Sequence, residues 1–120
     1  MKYEDLTPAE KRWMCNGCGP QLGIFPSCVP DFIFHKACDY HDFLYWLGKS
    51  AADRKAADEQ FLIDMKALAA KQDSWLSRTW FAFLAYRYYA AVRAFGTGSF
   101  SFRDHYATHD DLVKEMHEEP

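Results

Sequence analysis

The sequence predicts an all-α protein, on three observations. Aromatic and hydrophobic residues are abundant, yet Val and Ile are scarce while Ala, Leu and Lys are plentiful, a balance that favours helices over sheets. Apolar residues recur at helical spacing in three long stretches. Helix-capping residues stand in front of several stretches, at Thr7, Ser50 and Thr108. A chain of 120 residues fits one domain spanning residues 1–120, with room for a real core but not for two.

The first helix is announced by Thr7-Pro8-Ala9-Glu10, in which a Thr cap, a Pro at the first helical position and a Glu three residues on make a capping box. It should end near Asn16-Gly17. From Cys15 to Pro30 the chain holds three Gly, three Pro and three Cys, a mixture that rules out regular structure and marks a long cross-linked loop, of a kind that is usually functional or disordered. The second helix should begin between Asp31 and Phe34 and end at Gly48, with Phe34, Ala37, Cys38, His41 and Tyr45 on one face.

Ser50 should cap a third helix running to about Gln72, with Ala57, Phe61, Leu62, Met65 and Leu68 as its apolar face. Asp58 falls on that same stripe. A fourth helix is expected from Ser74 or Leu76 to Phe95, with Leu76, Trp80, Leu84, Tyr88, Ala91 and Phe95 facing inward and Gly96 as its stop. The remainder, 97–120, reads as a polar, His-rich tail in which Thr108 caps a short last helix.

Several function classes are excluded at this level. The net charge of −3, with basic residues scattered singly among acidic ones, offers no field for nucleic acid. The apolar run from Trp80 to Phe95 is short and broken by Arg87 and Arg93, so it reads as a buried helix and not a membrane span. The opening Met1-Lys2-Tyr3-Glu4-Asp5 lacks the apolar run of a secretory signal, so the chain reads either as a mature form with an added Met or as one not exported by that route. The four cysteines, Cys15, Cys18, Cys28 and Cys38, suit either two disulfides or one metal site.

A lone histidine on an apolar face is ordinarily a hydrogen-bonded core residue. Asp58 weakens that reading for His41, because a carboxylate on a core-facing stripe is costly without a charged or hydrogen-bonding partner. If the second and third helices pack antiparallel, His41 and Asp58 meet. The carboxylate then fixes the imidazole tautomer and stabilises the imidazolium as the ring takes a proton. Asp42 projects about a quarter turn from His41, toward the cysteine loop. Were Cys38 bridged to Cys18, Asn16-Gly17-Cys18-Gly19 would lie against Asp42. Loop carbonyls freed by glycine would join the carboxylate in a hard, all-oxygen site suited to calcium.

The run Ala37-Cys38-Asp39-Tyr40-His41-Asp42-Phe43-Leu44-Tyr45 resembles the Cys-x-x-His-Asp signature of secreted phospholipases A2, and is closest to the bacterial and fungal branch. Three further segments resemble that branch in the same order, so the likeness spans 15–96. Asn16-Gly17-Cys18 resembles its calcium loop, Asp58-Glu59-Gln60-Phe61-Leu62-Ile63-Asp64-Met65 its Asp-x-x-Phe-x-x-Asp helix, and Tyr88 to Gly96 its last helix. The resemblance implies two antiparallel core helices carrying a His/Asp dyad beside a disulfide-linked calcium loop. It implies calcium-dependent hydrolysis of the sn-2 ester of glycerophospholipids by a secreted monomer working at a membrane or micelle surface.

By the same resemblance His41 is the general base, Asp58 orients it and Tyr45 hydrogen-bonds Asp58. Asp42, Asn16, Gly17 and Gly19 bind calcium and Cys18 pairs with Cys38; Cys15 and Cys28 depart from the family pattern and read as an extra pair only because they are left over. Asn16 departs from the pattern where the branch can carry an Asp, and 97–120 matches nothing in it. Two other readings are open. Cys15-x-x-Cys18 is half of a zinc arrangement, but a zinc module leaves His41, Asp42 and Asp58 unexplained. A phospholipase fold can also serve as an interaction protein without turnover, and a chain without a leader can remain cytoplasmic. Trp13, Phe32, Phe43 and Trp46 are candidates either for a lipid-facing surface or for the core. His105, His109 and His117 with Asp104, Asp110 and Asp111 form a solvated polar tail or a transition-metal site.

Overall fold

The structure is a computed structural model that describes residues 1–17 and 33–118. Among the described residues every regular element is helical: α1 (Pro8–Gly17), α2 (His35–Leu47), α3 (Ala51–Ala70), α4 (Trp75–Phe95) and α5 (His109–Glu118), with 3-10 turns at Tyr3–Asp5 and Gly96–Ser99.

The helices start where their caps stand. At α1, Thr7 N–H donates to Glu10 Oε1 at 2.9 Å and Glu10 N–H to Thr7 Oγ1 at 3.1 Å, satisfying two of the donors that every helix N-terminus leaves unpaired. Ser50 and Asp53 make the same reciprocal pair at α3. Ser74 accepts from Ser77 N–H at α4, and Thr108 and Asp111 exchange bonds at α5.

Short connections fold α2, α3 and α4 into an antiparallel layer. Phe34, just before α2, and Ala37 and Cys38 of α2 are buried with Phe61, Met65 and Ala69 of α3 and Ala85 and Val92 of α4. The opposite side of α2 forms a second core, in which Phe43 and Trp46 are buried with Leu6, Met14, Ala107 and Leu112. α2 is therefore enclosed on both sides, and the residues 41 and 45 lie on the side shared with α3.

α4 is rotated from its expected orientation. Ala85 and Val92 face inward with Phe81, Leu84 and Tyr88 packed against the core, whereas Leu76, Trp80 and Phe95 are more than half exposed. The helix is apolar on most sides, so periodicity alone does not select a face, and the small Ala85 lets α3 approach closely. Gly48 and Gly96 also serve a different purpose from the one helix-end glycines usually serve. Both have negative φ (−82° and −77°). What each requires is the missing side chain: a Cβ at Gly48 would lie 2.4 Å from the Phe100 ring, and one at Gly96 would lie 2.4 Å from Tyr45 Oη.

The expected solvated tail is instead a strap over the end of α2. Helix C-termini leave carbonyls without intrahelical donors, and here the tail supplies the donors. Ser101 N–H bonds Tyr45 O, Ala107 N–H bonds Leu47 O and Arg103 N–H bonds Gly48 O, at 3.1–3.3 Å. Arg103 Nε donates to Trp46 O. The Arg103 guanidinium grips Glu115 through two bonds at 2.9 and 3.0 Å, and the Trp46 indole donates to the same carboxylate at 2.9 Å. Phe102 takes φ 49° between these anchors, a left-handed conformation that costs a non-glycine residue roughly 1–2 kcal/mol and is offset by the bonds on either side.

If 97–118 is an integral layer, Leu112, which is fully buried, should behave as a core residue. Leu112→Ala is expected to cost about 2–5 kcal/mol in urea unfolding followed by tryptophan fluorescence. A loss well under about 1 kcal/mol, the size usual for surface substitutions, would show that the strap is not docked.

Candidate active site

The site forms where α2 and α3 cross, because each helix sends one polar side chain into an otherwise apolar seam. His41 Nε2 lies 2.7 Å from Asp58 Oδ1, and Tyr45, one turn further along α2, donates its hydroxyl to the same oxygen at 2.6 Å. Asp58 is 0% exposed and His41 5%. The imidazole stacks on Phe61, one turn after Asp58, at 4.4 Å between ring centroids, and tilts against the Tyr45 ring at 4.2 Å.

Two arginines complete the site, and neither was among the candidate site residues read from the sequence. Arg93 Nη1 donates to Asp58 Oδ2 at 2.8 Å and Arg54 Nη1 reaches the same oxygen at 3.4 Å. Arg54 also donates to Val92 O at 2.9 Å and to Arg93 O at 3.4 Å, carbonyls in the last turn of α4 where a cation is favoured. Arg54 precedes Asp58 by one helical turn, so its pairing was available from spacing. Arg93 was not, since it arrives through the packing of α4 on α3.

The electrostatics follow from burial and from these donors. Burial acts to raise the Asp58 pKa, but hydrogen bonds from His41, Tyr45 and Arg93 outweigh it and hold the carboxyl below its usual range. Burial pushes the Tyr45 phenol up, and the Asp58 carboxylate adds to this, so Tyr45 stays a protonated donor. Burial pulls the His41 pKa down, Asp58 opposes it and Arg54 reinforces it, which leaves the imidazole neutral near pH 7. An ionised carboxylate can only accept. Nε2 therefore carries the proton toward Asp58, and Nδ1 is the basic nitrogen.

The residues expected to bind calcium are placed less completely. Asp42 follows His41 on α2 and is half-buried. The Tyr3 phenol is pushed up by burial and by the Asp39 and Asp42 carboxylates, which sets Asp42 beside the N-terminal segment. Asn16 and Gly17 form the last turn of α1, which packs across α2 through Met14, Phe43 and Trp46. A helix end presents main-chain carbonyls, hard oxygen donors of the kind calcium prefers. Gly19, Cys18, Cys28 and Phe32 lie outside the described residues, as do the side chains of Cys15 and Asn16. Cys38 is buried one turn before His41 and Asp42.

The remaining candidates are placed by packing and pairing. Phe43 and Trp46 are core residues and Trp13 is half-buried against them, so they form no lipid-facing patch. His105 lies between Asp104 and Asp111 at 2.6 and 3.0 Å, and His109 pairs with Glu10 at 2.7 Å. Among the described residues no group of three or more His, Cys, Asp or Glu is arranged to hold a metal.

The Asp58 pKa fixes a pH dependence. A folded-state value below the ordinary 3.8 means that its interactions stabilise fully above pH 3.8 and are lost as pH falls through the folded value. His41, whose folded pKa lies below 6.5, also resists protonation in the folded state, so its contribution declines as pH drops below 6.5. Both effects weaken the fold in acid. Urea midpoints measured from pH 7 to 3 should fall steadily, and Asp58→Asn should be less stable at pH 7 but show a flatter acid slope. Parallel slopes for the two proteins would contradict the assignment.

A family model for prokaryotic phospholipase A2 matches residues 1–96, 96 of the 120 residues in the chain. No curated protein and no solved structure gives a match. The matched region holds α1 to α4 with every residue of the His41–Asp58–Tyr45 cluster and both arginines, and it ends where the strap begins. The chain belongs to the prokaryotic phospholipase A2 family.

Proposed function

We propose that this chain is a single-domain, calcium-dependent phospholipase A2 that cleaves the sn-2 ester of glycerophospholipids, releasing a fatty acid and a lysophospholipid. The observation that carries the reading is the buried contact of His41 Nε2 with Asp58 Oδ1 at 2.7 Å, reinforced by Tyr45 on the same oxygen. It leaves His41 Nδ1 to take a proton from water as that water attacks the ester carbonyl. Asp58 stabilises the imidazolium, which then gives the proton to the departing lysophospholipid oxygen. Tyr45 keeps Oδ1 in place throughout, and no covalent enzyme intermediate is required. Calcium would be held by the Asp42 carboxylate, the Asn16 amide oxygen and the carbonyls of Gly17 and Gly19, supplying positive charge to the substrate phosphate and the developing oxyanion.

The outer face of α4 supports action at a lipid surface. Trp75, Leu76, Trp80, Phe83 and Tyr86 are each more than half exposed, Trp80 stacks on Phe83 at 5.9 Å, and Arg87 lies over Phe83 at 5.7 Å. α4 contains Arg78, Arg87 and Arg93 and no acidic residue, in a chain that is negative overall. Exposed aromatic rings interleaved with arginine suit an anionic headgroup layer. Among the described residues no helix is long and apolar enough to cross a membrane, so the contact proposed is superficial. A secreted monomer with its cysteines paired is the matching biological setting.

Hydrolysis of mixed micelles should be measured with calcium and with chelator, with products assigned by position. Fatty acid should be released from sn-2 only with calcium, and His41→Gln should lose roughly 10²–10⁴-fold in kcat while remaining folded. Equal rates in chelator would remove calcium from the mechanism, and activity surviving in His41→Gln would remove the general base. For the lipid face, Trp80→Ala with Phe83→Ala should weaken partition onto anionic vesicles by about tenfold or more, from the aromatic area withdrawn. Turnover of a monomeric short-chain phosphatidylcholine should be unchanged; undiminished vesicle binding would exclude this face.

A further inference from the structure

The two oxygens of Asp58 have separate attachments. Oδ1 takes both bonds from α2, from His41 and Tyr45, while Oδ2 takes the arginines. The terminal torsion of an aspartate is broad, so two bonds on one oxygen do not by themselves fix the carboxylate plane. A partial rotation of the carboxylate plane about that torsion would swing Oδ1 away from the imidazole.

The arginines divide the work of preventing this. The shortest bond of Arg54 goes to Val92 O, at 2.9 Å, and its distances to Asp58 Oδ2 and Tyr45 Oη are both 3.4 Å. Its side chain is 10% exposed, and it ties the start of α3 to the last turn of α4. Arg93 is carried by that turn, and its 2.8 Å bond to Oδ2 is the shorter of the two arginine contacts. Its side chain is 32% exposed, so removing it leaves no buried hole. The seam admits the arrangement because residue 96 has no side chain: a Cβ there would meet Tyr45 Oη at 2.4 Å and Arg54 Nη1 at 3.1 Å.

We propose that Arg93 is a positioning residue for the hydrolysis: it holds Asp58 Oδ2 so that Oδ1 stays aimed at His41, while Arg54 fixes the α4 turn that delivers it. This rests on the reading of His41 as the base. One guanidinium nitrogen of Arg93 makes the contact, so a lysine ammonium can substitute for it as a point donor.

The test uses the full chain with calcium on short-chain phosphatidylcholine micelles, comparing wild type, Arg93→Ala and Arg93→Lys. Arg93→Ala should lower kcat roughly tenfold to a hundredfold, the scale on which a small misplacement of a reacting group is felt. KM should stay within about twofold, since no substrate contact is removed, and Arg93→Lys should recover most of the loss. A second readout needs no turnover. The downfield imidazole N–H proton resonance of His41 bonded to Asp58 should persist in wild type and Arg93→Lys, and shift or broaden in Arg93→Ala. An unmoved resonance in Arg93→Ala, an unchanged kcat, or an Arg93→Lys no better than Arg93→Ala would each overturn the proposal. A wild type that hydrolyses nothing would overturn the hydrolase reading instead, and the resonance would still decide whether Arg93 positions the dyad.

Discussion

A carboxylate with no solvent exposure is the constraint on which this molecule is organised. Burying Asp58 without partners would cost several kcal/mol, and its partners come from all three helices of the central layer: His41 and Tyr45 from α2, Arg54 from α3 itself and Arg93 from α4. Satisfying one side chain therefore fixes the register of α2 against α3 and of α3 against α4. Apolar packing between Phe34, Phe61, Met65 and Val92 supplies most of the driving force, but such contacts tolerate sliding. Directional bonds to two defined oxygens do not. The interaction that selects the fold is the one the proposed chemistry uses.

Close approach is the second requirement, and small residues at the seams provide it. Ala57, Ala69 and Ala85 are buried where α3 meets its neighbours, and Gly96 gives Tyr45 and Arg54 the room to reach Asp58. Gly48 does the same for Phe100, whose ring stands edge-on to Tyr45 at 5.2 Å. The strap thus acts on the site helix from behind. It closes the carbonyls of Tyr45, Trp46, Leu47 and Gly48 and backs the ring whose hydroxyl holds Asp58. The part of the chain beyond the family match is in this way coupled to the part that carries the proposed dyad.

Legibility in the sequence followed the range of the interactions. Capping boxes at Thr7 and Ser50 join residues three apart, and they could be read directly. The inward placement of His41 and Asp58 was also readable, because a polar residue on an apolar stripe at helical spacing stands out and needs a partner. Arg93 could not be read, since α4 is apolar on most sides and its rotation depends on how Ala85 packs. The strap was misread because its docking rests on main-chain donors, on Arg103 and Trp46 meeting Glu115, and on buried residues, Phe100, Ala107 and Leu112, that lie scattered through a polar run. The proposed calcium ligands include loop carbonyls, which no side-chain pattern encodes.

α4 has two duties at its two ends, and this bears on how an enzyme of this size could work on a surface. Trp75, Leu76 and Trp80 project outward near its start, while Arg93, five turns later, bonds Asp58. The helix runs unbroken between them over about 27 Å at 1.5 Å per residue, and it packs along α3 without a proline. A helix held in this way moves as one piece. In the proposed reading, the face that rests on lipid and the guanidinium that aims the carboxylate therefore belong to a single rigid rod, so the site's geometry is set before any lipid is met. Adsorption then changes where the site stands, not how it is built.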